Sequence, residues 1–258
     1  MGSSQVKCVV FDVGETLIDE SRLWLRWAGR LRVTPHTLLG LIGACAQRGL
    51  NVEAALQLAV PGLDVRAEEA AWERDDPDGL RGSFDAEDLY PDVFPALTAL
   101  RVAGYRIVIA GNQPAAALAR LQAMNLPVDA MQNSAELGFE KPDPGFFAAV
   151  AALAGVAPAE IAYVGDRLDN DVLPALAAGM RPVLIRRGPY GYLHATRPEL
   201  AETRTPVIDS LLELPTLVSR AIGPNMTQAP ALAGGGLSGG GSEGGTRTRD
   251  LTIMSRAL

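Results

Sequence analysis

Lysine is nearly missing from this chain. Of its 23 lysine and arginine residues, only Lys7 and Lys141 are lysines, so chemistry that needs an ammonium group has two places to find one. Cysteine and histidine are equally sparse, at two each. Cys8 and Cys45 have no metal-ligand spacing and too few partners for a disulfide framework, which points to a reducing, cytoplasmic setting. His36 and His194 form neither a metal pair nor part of a triad, and ordinary surface or packing roles are expected for both. No apolar run approaches the ~20 residues of a bilayer span. The amino terminus lacks a basic segment followed by an apolar one, so no secretory signal is read there. Met1-Gly2-Ser3-Ser4-Gln5-Val6 carries valine where an acylation signal needs serine or threonine. A net charge of −7 argues against nucleic acid or an anionic membrane as the main partner.

What is present is a packed α/β core. At 258 residues and 48% apolar, the chain can bury one large domain or a core with a smaller companion. Lys7-Cys8-Val9-Val10-Phe11 runs into Asp12-Val13-Gly14-Glu15-Thr16. A short apolar run ending in turn residues reads as a buried parallel strand, with Asp12 at its carboxyl end. From 19 to 88 the pattern turns helical: Leu23, Trp24, Trp27 and Leu31 recur at helical spacing, as do Leu38, Leu39, Ile42 and Ala46. Thr34-Pro35, Pro61-Gly62 and Asp75-Asp76-Pro77-Asp78-Gly79 are breaks. Trp24, Trp27 and Trp72 are expected to form the core of this insertion, and Arg22, Arg26 and Arg30 to line a solvated helix face.

From Tyr90 onward strands and helices alternate. Strands are expected at 105–110, 128–131, 161–164, 182–185 and 206–208, with helices at about 92–103, after Pro114, from Pro142-Asp143-Pro144 to Gly155, up to Gly179, and to about Ile222. Tyr190-Gly191-Tyr192 and His194 read as loop. Such alternation predicts a Rossmann-like parallel sheet with helices on both faces. The expected organisation is a core of 1–18 and 89–222, an inserted all-helical cap at 19–88, and a Gly/Ser-rich tail at 223–258 too poor in apolar residues to pack.

Four pieces fall at strand ends or helix starts: Asp12-Val13-Gly14-Glu15-Thr16, Gly111-Asn112, Lys141-Pro142-Asp143-Pro144, and Gly165-Asp166-Arg167-Leu168-Asp169-Asn170-Asp171. In this order they resemble the haloacid dehalogenase-like hydrolase superfamily over roughly residues 6–222. The resemblance implies Mg2+ held by Asp12, the carbonyl of Gly14, and Asp166, with Asp171 orienting Lys141 or a metal-bound water. It implies Asp12 as a nucleophile toward phosphorus, forming an aspartyl-phosphate that water removes. Lys141 would neutralise the developing charge, Asn112 and the backbone at Gly111 would hold phosphoryl oxygens, and Thr16 would fix the loop or merely cap it. Three convergent carboxylates would repel unless cations sit among them, and a hard dication with oxygen ligands answers that need. The implied substrate is a small phosphorylated metabolite.

Two positions depart from the family's phosphatases. Where those enzymes carry an acid/base aspartate two residues after the nucleophile, this chain has Gly14; such a group contributes on the order of 10²–10⁴-fold to rate. Where they carry serine or threonine after the second strand, it has Gly111. Glu15 is the residue considered to replace the missing acid/base, against the plainer reading of a solvated surface glutamate. Loss of the acid also raises an alternative: a weak or inactive relative that binds a phosphorylated ligand or a protein partner. Phosphonate cleavage would need a lysine inside the insertion, which has none. Metal-free dehalogenation gains nothing from Asp166 and Asp171.

Overall fold

The structure, a computed structural model, describes residues 5–76, 84–113 and 115–220. The expected tail at 223–258, Pro77-Asp78-Gly79 and Pro114 lie outside the described residues. In chain order the elements are β1 (Cys8–Phe11), α1 (Ser21–Leu31), α2 (Pro35–Gln47), α3 (Val52–Ala59), α4 (Val65–Asp75), α5 (Val93–Val102), β2 (Arg106–Gly111), α6 (Ala115–Ala123), β3 (Ala130–Asn133), α7 (Ser134–Leu137) and α8 (Pro144–Ala154). There follow β4 (Ile161–Gly165), α9 (Leu173–Ala177), β5 (Arg181–Ile185), α10 (Gly188–His194), α11 (Pro198–Thr203), β6 (Val207–Ile208) and α12 (Leu214–Arg220). Among the described residues no helix is long and apolar enough to cross a membrane.

The six strands pair in parallel in the order β3-β2-β1-β4-β5-β6, a Rossmann-like α/β sheet. β1 shows why its sequence is apolar throughout. Val9 and Phe11 join a cluster with Leu97 and Leu100 of α5 and Leu214 of α12. Cys8 and Val10 join another with Phe146, Phe147 and Val150 of α8. Alternate side chains face opposite sides of a strand, and here both sides are covered, so neither set can be polar. Burial pushes the Cys8 thiol up to about 12, which leaves it a packing residue.

β3 and the helix before Gly179 differ from the sequence expectation. β3 starts two residues late; at Asp129 the side chain rather than a backbone carbonyl accepts the Ile107 N–H, on Oδ2 at 2.7 Å. The strand is a half-buried edge containing Gln132 and Asn133, which apolar patterning does not detect. The helix before Gly179 opens as a π-helical turn at Leu168–Val172, where the Arg167 carbonyl accepts from Asp171 at 3.0 Å and Val172 at 3.1 Å. Wide turns of this kind recur at functional sites.

Between β1 and β2 the chain builds α1 to α4 around their own cluster, in which Trp27 and Trp72 meet edge to face at 5.1 Å. Trp24 is only partly buried and also lines the cleft described below. The arginines of α1 are paired rather than simply solvated: Arg22 with Asp85 at 3.0 Å and with Asp88, Arg30 with Glu68 at 2.6 Å. Tyr190-Gly191-Tyr192 and His194, expected in a loop, lie in α10. Tyr190 packs into the cluster of the insertion and donates to the Leu50 carbonyl at 2.9 Å. α10 thus supports the insertion from the core side.

Trp27 fills the centre of the insertion, 1% exposed. Trp27→Ala should lower the unfolding free energy by about 3–5 kcal/mol, read as an earlier urea midpoint by circular dichroism.

Candidate functional site

The sheet order decides which residues can meet. β2, β1 and β4 are neighbours, with Phe11 in register with Ile109 and with Val164. The residues just past their carboxyl ends are Asn112, Asp12 and Asp166. Asp12 extends the ladder by one bond, its N–H donating to Val164 O at 2.9 Å, which holds its Cα against β4. Open α/β sheets bind ligands at this edge, where strand order reverses about the first strand. A cleft of about 520 Å³ lies here, walled by Asp12, Gly14 and Asp166 from the core and by Leu23, Trp24 and Val52 from the insertion.

Lys141 reaches this edge from the loop before α8. Its Nζ stands 2.6 Å from Asp12 Oδ1 and 2.6 Å from Asp171 Oδ1, with the lysine side chain 2% exposed. Burial works against the ammonium, but the two carboxylates outweigh it and hold its pKa well above the usual lysine range. The second Asp171 oxygen accepts the Arg167 N–H at 3.0 Å. Asn112 fixes the lysine's backbone from both ends of its amide: Oδ1 accepts the Lys141 N–H at 2.7 Å and Nδ2 donates to the Lys141 carbonyl at 3.0 Å. Two glycines make this packing feasible. A Cβ at Gly111 would stand 2.5 Å from Asp12 Oδ1, and one at Gly165 would stand 2.6 Å from Asp171 Cβ.

One oxygen from each of Asp12, Asp166 and Asp171 lies within 4.8 Å of the others. A single lysine faces these three acids. Burial raises the Asp12 carboxyl to about 6 against the pull of Lys141. Burial, then the charges of Asp171 and Asp12, raises Asp166 well above the usual carboxylate range. Buried acids with raised pKa values and oxygen-only donors fit a hard divalent cation.

Not every residue singled out in the sequence turns toward the cleft. Glu15, considered as acid/base or as a solvated surface glutamate, is half-buried and does not line the cleft. Its backbone is left-handed at φ 49°, and its carboxylate accepts from the Tyr90 hydroxyl at 2.5 Å and the Glu20 N–H at 3.3 Å. Thr16 is fully buried; its Oγ1 finds no partner among the described residues, and its carbonyl accepts from Arg187 Nη1 at 2.6 Å. Gly111 is buried, and the Asn112 amide is committed to Lys141. His194 is buried rather than at the surface: its Nδ1 accepts the Leu168 N–H at 2.9 Å, fixing the start of the acidic turn. Burial lowers its pKa.

Three groups were not legible as site residues. Glu20 and Arg167 line the cleft, the latter stacked 4.2 Å from the Tyr190 ring and paired with Asp169 at 2.7 Å. Arg187, paired with Asp92, braces the Asp12–Thr16 loop. Arg167 stands inside the Gly165–Asp171 motif, whereas no motif marks Glu20 or Arg187.

Comparison with known proteins bears on the family and the fold. The profile of haloacid dehalogenase-like hydrolases matches residues 6–179. The plasmid phosphoglycolate phosphatase of Cupriavidus necator is 30% identical over 226 residues, 83% of this chain and 93% of that protein. A glyceraldehyde 3-phosphate phosphatase of Methanopyrus kandleri is 42% identical over 105 residues, 39% of this chain and 45% of that one, so the chain spans less than half of that relative's length. Among solved structures, a HAD-hydrolase from Bacillus subtilis bound to magnesium superposes with TM-score 0.61 at 18% identity, covering 83% of this chain and 99% of that one. A 2-haloacid dehalogenase from Pseudomonas syringae gives TM-score 0.55 at 23% identity, covering 84% and 99%. These two share the fold. The profile match and the relative aligned almost end to end decide the family: the chain belongs to the haloacid dehalogenase-like hydrolases.

Proposed function

We propose that this chain hydrolyses the phosphomonoester of a small metabolite with the help of a bound divalent cation, Mg2+ by the chemistry of its donors. The observation that carries the reading is Lys141, held between Asp12 and Asp171 at 2.6 Å from each, beside Asp166 in a cleft. A buried ion cluster of this kind is poor at stabilising a fold, so its presence calls for a chemical use. The names of the relatives, phosphatases of small phosphorylated metabolites, support the substrate class.

Asp12, Asp166 and the Gly14 segment would hold the metal; when bound it supplies positive charge that screens a phosphate from the acids around it. Asp12 attacks phosphorus and carries the phosphoryl group until water removes it. Lys141 neutralises charge on the transferring group. Asp171 and Asn112 act through Lys141, fixing its ammonium and its backbone. The helical insertion serves as a cap whose Trp24 and Val52 select the substrate body. The acid pair after β4 disfavours dehalogenation, since a carboxylate displacing halide gains nothing from neighbouring anions. A binding-only relative, suggested by Gly14, is less well supported, because a passive phosphate site has no need of a nucleophile pinned on a lysine.

With Mg2+ and a panel of phosphometabolites, the purified chain should show turnover that EDTA removes. Asp12→Asn should reduce it by more than ~10³-fold with unchanged circular dichroism; turnover that survives this substitution would sink the reading. Metal binding should also be visible without activity. Mg2+ at a hundred times its Kd should stabilise the fold by about 2.7 kcal/mol, and Asp166→Asn should erase most of that gain in a thermal melt.

Acidity gives a separate check. Asp12 has a folded pKa of about 6, above the ordinary aspartate value of about 3.9. Between these values the native chain binds more protons than the unfolded one. Metal-free stability of the wild type relative to Asp12→Asn should therefore fall as pH rises from about 4 to about 6. The Mg2+-dependent rise in melting temperature should grow over the same interval, because the metal displaces that proton.

A further inference from the structure

A further buried ion pair stands at the same edge of the sheet, outside the Lys141 cluster. Arg187 lies two residues past β5, and its guanidinium reaches across β4 to the loop that follows β1. Nη1 donates to the Thr16 carbonyl at 2.6 Å, and Nη2 pairs with Asp92, where the chain returns from the insertion. Asp92 is fixed in turn, its Oδ2 also accepting from the Ser210 hydroxyl at 2.7 Å and the Leu211 N–H at 2.9 Å. The guanidinium lies over the Tyr90 ring, 4.0 Å from its centre, and the Tyr90 hydroxyl donates to Glu15 Oε2 at 2.5 Å. A buried pair of this kind adds little to stability over apolar packing, so what the guanidinium holds matters more than the pair.

It holds the turn that carries Asp12. The Val13 carbonyl accepts the N–H groups of Thr16, Leu17 and Ile18 at 3.3, 2.9 and 3.0 Å, and the Glu15 N–H donates to the Ile18 carbonyl at 2.8 Å. This turn places Glu15 in the left-handed region, φ 49°, which a side chain other than glycine keeps only where its surroundings over-determine it. Tyr90 holds the Glu15 carboxylate, Arg187 holds the Thr16 carbonyl, and Arg187 stacks on Tyr90. One guanidinium therefore supports both residues of the turn. Asp12, Val13 and Gly14, immediately upstream, line the cleft, whereas Arg187 does not.

We propose that Arg187 is a positioning residue for this site, resting on the phosphohydrolase reading above. It fixes the Asp12–Thr16 loop, so that Asp12 and the Gly14 segment meet metal and substrate with their geometry already set. Because it stands outside the cleft, it acts only through that loop. A lysine at position 187 would keep a positive charge beside Asp92 but lose the planar fork that serves a carboxylate and a carbonyl together.

The test uses Arg187→Lys and Arg187→Ala in the full chain, with thermal melts of each. Arg186→Ala is the control, an exposed neighbour that pairs with Asp209. Arg187→Lys should weaken Mg2+ binding, read by calorimetry without substrate, by about 10–100-fold. At saturating Mg2+ it should lower kcat by a similar factor and leave KM nearly unchanged. In the metal-free protein, amide exchange at Thr16, Leu17 and Ile18 should quicken while exchange in β4 stays as in wild type. Arg187→Ala should lose more, and added methylguanidinium should return part of its kcat where methylammonium does not. Arg186→Ala should match wild type throughout. Wild-type kcat, Mg2+ affinity and exchange in Arg187→Lys overturn the proposal. So does a loss confined to KM, exchange quickened equally across the sheet, or a lysine variant that no longer folds, since each marks a structural role alone. Those failures leave the phosphohydrolase reading standing, whereas a wild type without turnover on the metabolite panel overturns that reading and the positioning role with it.

Discussion

The organisation of the site depends on one buried ammonium. Lys141 bridges Asp12 and Asp171 with almost no exposure, and an ion cluster out of water is tolerable only if every partner is held in place. Much of the surrounding structure meets that demand. Asn112 binds both backbone groups of Lys141. The π-helical turn after β4 swings Asp171 inward, and His194 takes the Leu168 N–H at its start. Gly111 and Gly165 leave the room that Asp12 and Asp171 occupy. Without these supports the lysine would leave carboxylates buried and uncompensated.

The insertion is tied to this edge of the sheet at more than one point. The outgoing and returning strands of chain bond to each other, Asp19 N–H to Asp88 O at 2.8 Å and Tyr90 N–H to Leu17 O at 3.0 Å. Tyr190 of α10 packs into the insertion's own cluster, while Arg167 stacks on the same ring from the acidic turn. Glu20 sits where the chain leaves the core for α1, so its carboxylate belongs to both parts. A site residue placed at such a crossing is sensitive to how the insertion rests on the sheet.

Strand ends were legible because buried parallel strands are short apolar runs stopped by turn residues. Asp12, Gly111-Asn112 and Gly165-Asp166 each announce such a stop. The helical insertion was legible from its 3.6-residue period. The β3 edge was misplaced by two residues because Gln132 and Asn133 carry no apolar signal. α10 was taken for loop because Gly188, Pro189 and Gly191 look like punctuation, although Pro189 stands in its first turn, where proline is tolerated. Glu15 attracted notice for the same kind of reason: nearness along the chain says nothing about which way a side chain turns. A left-handed backbone at Glu15 sends its carboxylate to Tyr90 instead.

The sequence by itself determined the sheet, the insertion and the set of charged groups, since local patterning and turn chemistry are properties of neighbouring residues. Only the tertiary structure decided how those groups share the work. Parallel pairing sets Asp12 between β2 and β4, packing gives Lys141 two carboxylates rather than one, and the space left by a missing side chain at Gly14 is filled by Glu20. Volume and direction in three dimensions cannot be read along a line of residues, and in this chain they decide which groups meet.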